Sequence, residues 1–96
     1  MSVDDLLTAN RREILGIAAR HGVRSIQVFG SFARGDAGAD SDVDFLIEVE
    51  EPVSPWFPGG LVADLEDLLG RRVDVVTHNG LHSSLRDRVL QEARPL

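Results

Sequence analysis

The stretch from Asp42 to Val49 constrains the fold of this 96-residue chain more than any other, because its hydrophobicity alternates with a period of two. One side of the stretch carries Val43, Phe45, Ile47 and Val49, and the other carries Asp42, Asp44, Leu46 and Glu48. An extended strand separates alternate residues onto opposite faces in this way. The chain is therefore predicted to build a sheet that buries the apolar side of this strand and keeps two aspartates on the other.

Two more strands are predicted by short apolar runs, at Ser25 to Phe29 and at Val73 to Thr77. Helical periodicity, glycine stops and capping serines predict the helices: residues 3 to 21, Phe32 to about Gly35, Leu61 to Leu69, and a last helix from Ser83 or Ser84 through Ala93. The order α-β-α-β-α-β-α predicts a single α+β (α/β) domain over residues 1–96. We expect a small mixed sheet of about three strands with helices mainly on one face.

Composition narrows the class of protein. The formal net charge of -6 argues against a nucleic-acid-binding surface, which needs clustered cations. All ten basic residues are arginine, so a Walker-type loop with its phosphate-binding lysine is excluded. Cysteine is absent, no apolar run approaches the ~20 residues of a membrane span, and the N-terminus lacks the features of a signal peptide. These features predict a cytoplasmic protein with no membrane contact.

The carboxylates of the predicted sheet suggest a metal site. Asp42 and Asp44 lie two residues apart on one strand and so share a face, about 7 Å from each other. By the same parity, Asp74 lies on the non-core side of the third strand, and the three converge if the two strands are neighbours. Clustered carboxylates repel unless a cation neutralises them, and oxygen ligands select a hard ion such as Mg²⁺. Two such ions about 3.5–4 Å apart support in-line phosphoryl displacement.

A glycine-serine turn before these aspartates supplies the complementary half of the site. Gly30 permits close backbone approach to a ligand, and Ser31 begins the predicted short helix, where free N–H groups favour a phosphate. Arg34, one turn further on, can add a charge-assisted hydrogen bond, although an ordinary surface role is equally compatible with its position. We expect the turn to hold a triphosphate and the aspartates to hold its metal.

These residues together resemble a known family. The segments GSFARGD and SDVDFLIEV, followed by Asp74 in RRVDVVT, closely resemble the minimal nucleotidyltransferases of the DNA-polymerase-β-like superfamily, over nearly the whole chain. The resemblance implies that Asp42 and Asp44 bind the metal shared with ATP, and that Asp74 binds a second Mg²⁺ and helps to activate the acceptor hydroxyl. It also implies that Gly30 and Ser31 contact the phosphates.

The same resemblance implies a protein acceptor. Minimal nucleotidyltransferases resemble antitoxins that are paired with a helical HEPN-domain RNase toxin, and members of the group transfer AMP to a tyrosine of that toxin. This chain contains no tyrosine, which fits modification in trans. The alternative is a non-catalytic antitoxin that masks the toxin, although a mask does not require three aspartates. A transferase acting on a small molecule is disfavoured by the size of the chain.

Less specific interpretations apply to other residues. Asp42 can be a strand cap and Asp44 a solvated residue, and an aspartate such as Asp74 is ordinary on an edge strand. His78 and His82 flank an Asn-Gly turn, so a metal pair between them is not expected. Trp56 and Phe57 either plug the core or contact a partner or a base, and we favour the plug.

Overall fold

The computed structural model describes residues 4–50, 57–78, 80 and 83–96, and within these ranges the chain forms five helices and four strands. In chain order these are α1 (Asp4–Ala9), α2 (Arg11–Arg20), β1 (Val23–Phe29), α3 (Ser31–Arg34), β2 (Val43–Val49), α4 (Gly59–Leu69), β3 (Val73–Thr77), α5 (Ser83–Glu92) and β4 (Arg94–Pro95). The predicted elements appear in the predicted order, except that the first helix is divided into α1 and α2 and an additional strand, β4, follows α5. Strand β3 has the predicted bounds. Strand β1 begins two residues earlier than predicted, and β2 begins one residue later.

The strands form one mixed sheet in the order β3-β2-β1-β4. Strands β1 and β2 are antiparallel neighbours, β2 and β3 are parallel neighbours, and β4 adds antiparallel to the free edge of β1. The short β4 is the one strand that the sequence did not predict. It pairs Arg94 with Val28 and Pro95 with Gln27. Two residues are too few to show a hydrophobic period, and a proline is tolerated there because β4 lies at an edge.

The core lies against the apolar side of β2, as the period of two predicted. The side chains of Val43, Phe45 and Ile47 are fully buried. They belong to one cluster with apolar residues of α2 and α4, among them Ile14, Ile17, Leu61 and Leu65. Phe57 packs against the same cluster, which confirms its predicted role as a plug, whereas Trp56 lies outside the described residues.

The predicted first helix is broken in two at Asn10. The side-chain amide of Asn10 donates a hydrogen bond to the carbonyl oxygen of Leu6 at 2.8 Å, and its backbone N–H donates to the same oxygen at 3.2 Å. A side chain that competes in this way for backbone groups interrupts a helix. Helix α2 begins at once, because the carbonyl of Asn10 accepts the N–H of Ile14. Apolar periodicity continues through the break, so the sequence pattern did not reveal it.

Helix α5 lies across the carboxylate face of the sheet, opposite the main core. Its residues line two surface cavities, one together with Asp44 and the other together with Glu48. Between these two carboxylates, Leu46 is fully buried although it lies outside the main core cluster. The carboxylate face is therefore partly covered. No helix in the described part of the chain is long and apolar enough to cross a membrane.

Candidate active site

The glycine-serine turn connects the end of β1 to α3. Gly30 has φ +74°, a backbone conformation that residues other than glycine rarely adopt. A Cβ atom at this position would collide with Oδ2 of Asp44 and lie 3.3 Å from its Cγ. Both the backbone and the space therefore require glycine, and its absent side chain is what lets the carboxylate of Asp44 lie against the turn.

The parallel register places the aspartates of β2 and β3 side by side. Asp44 is paired directly with Asp74, and on its other side with Phe29 at the end of β1. Asp42 lies just before β2 and is exposed, with its Oδ1 3.4 Å from Nε of Arg72. Asp74 is exposed, and no described residue forms a hydrogen bond or ion pair with its carboxylate. Strands β2 and β3 are therefore neighbours, which is the condition for the three carboxylates to lie on one patch of the sheet.

Burial and the arrangement of the aspartates raise the pKa of Asp44. Burial, and after it the negative charges of Asp74 and Asp42, together raise the pKa of its carboxyl from the ordinary 3.8 to about 6. The guanidinium of Arg34 opposes this rise. Within the described ranges, no three carboxylate or imidazole side chains come close enough together to ligate one ion. Asp44 is the carboxylate of the site whose ionisation is most disfavoured by burial and by the neighbouring negative charges.

Arg34 extends from α3 towards α5. Its Nη1 lies 3.1 Å from Oε1 of Glu92, and its Nε lies 3.2 Å from Oδ2 of Asp36. A cavity of about 380 Å³ lies between the glycine-serine turn and α5. It is lined by Phe29, Gly30, Ser31, Arg34, Asp44, Leu85, Arg88, Val89 and Glu92. Asp42 and Asp74 are not among its lining residues, so the cavity opens beside the carboxylates rather than between them.

Arg71 is a positioning residue that the sequence interpretation missed. Its Nη1 donates to the carbonyl oxygens of Gly38, Ala39 and Ser41 at 3.0, 3.1 and 3.2 Å. Its guanidinium carbon also lies 5.4 Å from the centre of the Phe32 ring. The side chain therefore joins the loop before Asp42 to the short helix after the glycine-serine turn. An arginine after a helix-ending glycine carries no sequence signal for such a role.

Replacing Arg71 with alanine is expected to lower the free energy of unfolding by about 1–2 kcal/mol, because charge-assisted hydrogen bonds and a cation-π contact are lost. Thermal or urea unfolding measures this change. Arg12→Ala serves as the matched control, because Arg12 is exposed and forms no ion pair or hydrogen bond with the described residues. Equal stability of the two variants would contradict the assigned role of Arg71.

His21 and His78 contact acidic residues other than Asp42, Asp44 and Asp74. Nε2 of His21 is 2.7 Å from Oδ2 of Asp64, which joins the end of α2 to α4. Nε2 of His78 is 3.5 Å from Oε1 of Glu48, towards the opposite end of β2 from Asp44. His82 lies outside the described residues. The contacts of His21 and His78 link elements of the fold and do not reach the glycine-serine turn.

A mixed sheet with a glycine-serine turn facing aspartates on two adjacent strands defines a class, the nucleotidyltransferases. Comparison with known proteins agrees with this class. Residues 11–96 match the family model of the nucleotidyltransferase domain. The chain belongs to that family and is an enzyme of the nucleotidyltransferase type, which confirms the resemblance inferred from the sequence.

Relatives in archaea cover most of the chain. The protein adenylyltransferase MntA of Thermococcus cleftensis is 44% identical over 90 residues, which are 94% of this chain and 88% of the relative. A relative in Methanocaldococcus jannaschii, provisionally named as a protein adenylyltransferase, is 42% identical over 83 residues, 86% of this chain and 89% of the relative.

Solved structures share the fold. One that is provisionally named as a minimal nucleotidyltransferase superposes with a TM-score of 0.87 and 46% identity, covering 100% of this chain and 97% of the other. A toxin-antitoxin structure with AMP-PNP superposes with a TM-score of 0.77 and 20% identity, covering 90% of this chain and 71% of the other. The second likeness concerns the fold alone.

Proposed function

We propose that this protein is a Mg²⁺-dependent adenylyltransferase that moves AMP from ATP to a hydroxyl group, a tyrosine, of a partner protein. The partner is a HEPN-domain RNase toxin, so that the protein acts as the antitoxin of a two-protein system in the cytoplasm. One domain, residues 1–96, carries the activity. The observation that carries this proposal is the register of Asp44 with Asp74, next to a turn that only glycine can form.

The reaction assigns a separate task to each part of the site. The hydroxyl oxygen of the acceptor attacks the α-phosphorus of ATP, the bond from that phosphorus to the bridging oxygen breaks, and pyrophosphate leaves. Gly30, Ser31 and Arg34 bind the phosphates, since they line the cavity beside Asp44. Asp74 accepts the proton of the hydroxyl, because its exposed carboxylate lies beside Asp44 at the edge of the sheet.

The donor set fits Mg²⁺. Asp42, Asp44 and Asp74 would hold the metal, and Mg²⁺ characteristically takes one or two carboxylates together with water and substrate phosphates rather than a complete protein cage. The absence of a closed three-residue cluster among the described residues is compatible with this mode of binding. The raised pKa of Asp44 marks the carboxylate that gains most from a neighbouring cation. When bound, the metal supplies charge neutralisation at the phosphates.

A protein acceptor is supported by the relatives and by the exposure of Asp74. The relative from Thermococcus cleftensis is named as a protein adenylyltransferase. Structures with the same fold are toxin-antitoxin assemblies, among them a mutant of MntA-HpeT. Asp74 is exposed on the edge strand β3, which leaves its carboxylate open to a second protein. The net charge of -6 suits a protein acceptor better than RNA.

Co-expression with the neighbouring open reading frame, followed by intact-mass measurement of both chains, tests the proposal. We expect the partner to gain whole AMP units and this chain to remain unmodified, because it has no tyrosine. Asp67→Asn, an exposed helix position without ion pairs to the described residues, serves as the control and retains the transfer. An unmodified partner, recovered in complex with this protein in the presence of ATP and Mg²⁺, would favour masking instead.

A further inference from the structure

Helix α5 contributes a second arginine to the cavity beside the glycine-serine turn. Arg88 and Glu92 lie one helical turn apart on the same side of α5, with Nε of Arg88 3.5 Å from Oε1 of Glu92. Both residues line the cavity that Gly30, Ser31 and Asp44 also line. The phosphate-binding residues inferred from the sequence all belong to the turn and α3. Helix α5 adds a further arginine, Arg88, to the lining of the same cavity.

The two arginines of the cavity converge on one carboxylate oxygen. Oε1 of Glu92 lies 3.1 Å from Nη1 of Arg34 and 3.5 Å from Nε of Arg88. Glu92 is mostly buried, with 20% of its side chain exposed, whereas Arg88 is 75% exposed and so free to follow a ligand. Guanidinium groups bind both carboxylates and phosphates through paired N–H···O hydrogen bonds. The oxygen of Glu92 thus marks a point at which an anionic ligand group can meet both arginines.

We propose that Arg88 is a further triphosphate-binding residue, and that Glu92 is the internal counter-ion that holds Arg34 and Arg88 together until the phosphates of ATP replace it. This inference rests on the proposed function. A triphosphate brings more negative charge than one carboxylate, so it competes successfully for both guanidinium groups. A second arginine is useful there because Asp44 and Glu92, which are both acidic, also line the cavity.

The test compares the affinities for ATP and AMP, each measured by calorimetry with Mg²⁺, in the wild type and three variants. Arg88→Ala is expected to weaken ATP binding about ten- to hundredfold, and AMP binding by less than about twofold, because AMP lacks the outer phosphates. Arg86→Ala is the matched control. Arg86 is an exposed arginine of the same helix that lines a different cavity, with Arg24 and Glu48, and its loss should change neither affinity.

Glu92→Gln distinguishes a phosphate site from a purely structural ion-pair network. We expect it to strengthen ATP binding about three- to tenfold, because a competing anion is removed and both arginines are released. A network that only supports α5 predicts weaker ATP binding instead. Unchanged ATP affinity in Arg88→Ala, equal losses for ATP and AMP, or weaker binding in Glu92→Gln would each overturn the inference. Failure of the wild-type protein itself to bind ATP would contradict the proposed function.

Discussion

Replacing Asp44 with asparagine is expected to abolish nucleotidyl transfer while making the metal-free protein more stable at neutral pH. Activity is lost because asparagine lacks the negative charge that binds the metal. The loss of several kcal/mol of transition-state stabilisation corresponds to about a 10³-fold decrease in rate. The apolar side of β2 is unchanged by this substitution, so the fold is retained. Asp42→Asn is expected to abolish transfer for the same reason.

The gain in stability has a defined pH dependence. The pKa of Asp44 is about 6 in the folded protein and 3.8 in the ordinary group, so the folded state binds this proton more tightly than the unfolded chain does. Ionisation of Asp44 therefore destabilises the fold as the pH rises through this interval, fully above about pH 6 and not at all well below pH 3.8. Asparagine should raise the free energy of unfolding by about 1–2 kcal/mol at neutral pH, allowing for solvent screening.

Urea unfolding in the presence of EDTA measures this effect across the pH range. The gain of Asp44→Asn over the wild type should fall to about half near pH 5 and vanish below about pH 3. Asp67→Asn is the matched control, since Asp67 is an exposed residue of α4 and should show no comparable gain at any pH. Near-normal transfer by Asp44→Asn with Mg²⁺ would show that the metal site has been assigned to the wrong face.

Replacing Asp74 with asparagine is expected to separate catalysis from nucleotide binding. ATP binding should change by less than about threefold, because Asp42, Asp44 and the glycine-serine turn still hold the nucleotide. Transfer should fall about 10²–10⁴-fold, the range typical for loss of a general base. The physical basis is the position of Asp74, which is exposed on the edge strand and paired in register with Asp44. Equilibrium ATP binding and the rate of AMP incorporation into the partner measure the two effects.

The same variant distinguishes an enzymatic antitoxin from a mask. If the protein neutralises its partner by adenylylation, Asp74→Asn should lose most of its protective effect in cells that express the toxin, while the two proteins still form a complex. If it neutralises by masking, protection should persist, because one Asp→Asn change hardly alters a contact surface. Full protection by a transfer-deficient Asp74→Asn protein would therefore refute catalytic neutralisation, and Asp67→Asn should protect in either case.

Local patterns predicted most of the secondary structure. The alternation from Asp42 to Val49 located β2, its buried face and the face that carries the aspartates, because side-chain direction in a strand depends on parity alone. Errors arose where local hydrogen bonding or very short pairing decided the outcome. Asn10 ends α1 through a bond to the carbonyl of Leu6, and the two residues of β4 pair only because β1 offers a free edge. Neither feature leaves a hydrophobic period.

The sequence by itself determined which residues could carry the chemistry: the pair Asp42 and Asp44 on one face, the glycine-serine turn before them, and Asp74 with matching parity. These properties depend on neighbours along the chain, which a sequence records directly. The tertiary structure alone decided that β3 lies parallel to β2 with Asp74 opposite Asp44. It also decided that Arg71 joins the loop before Asp42 to the turn, and that α5 brings Arg88 and Glu92 to Arg34. Apart from the contact within α5, these contacts join residues that are 30 or more positions apart in the chain. They depend on how the helices and strands pack, and the hydrophobic periodicity of the sequence carries no information about that packing.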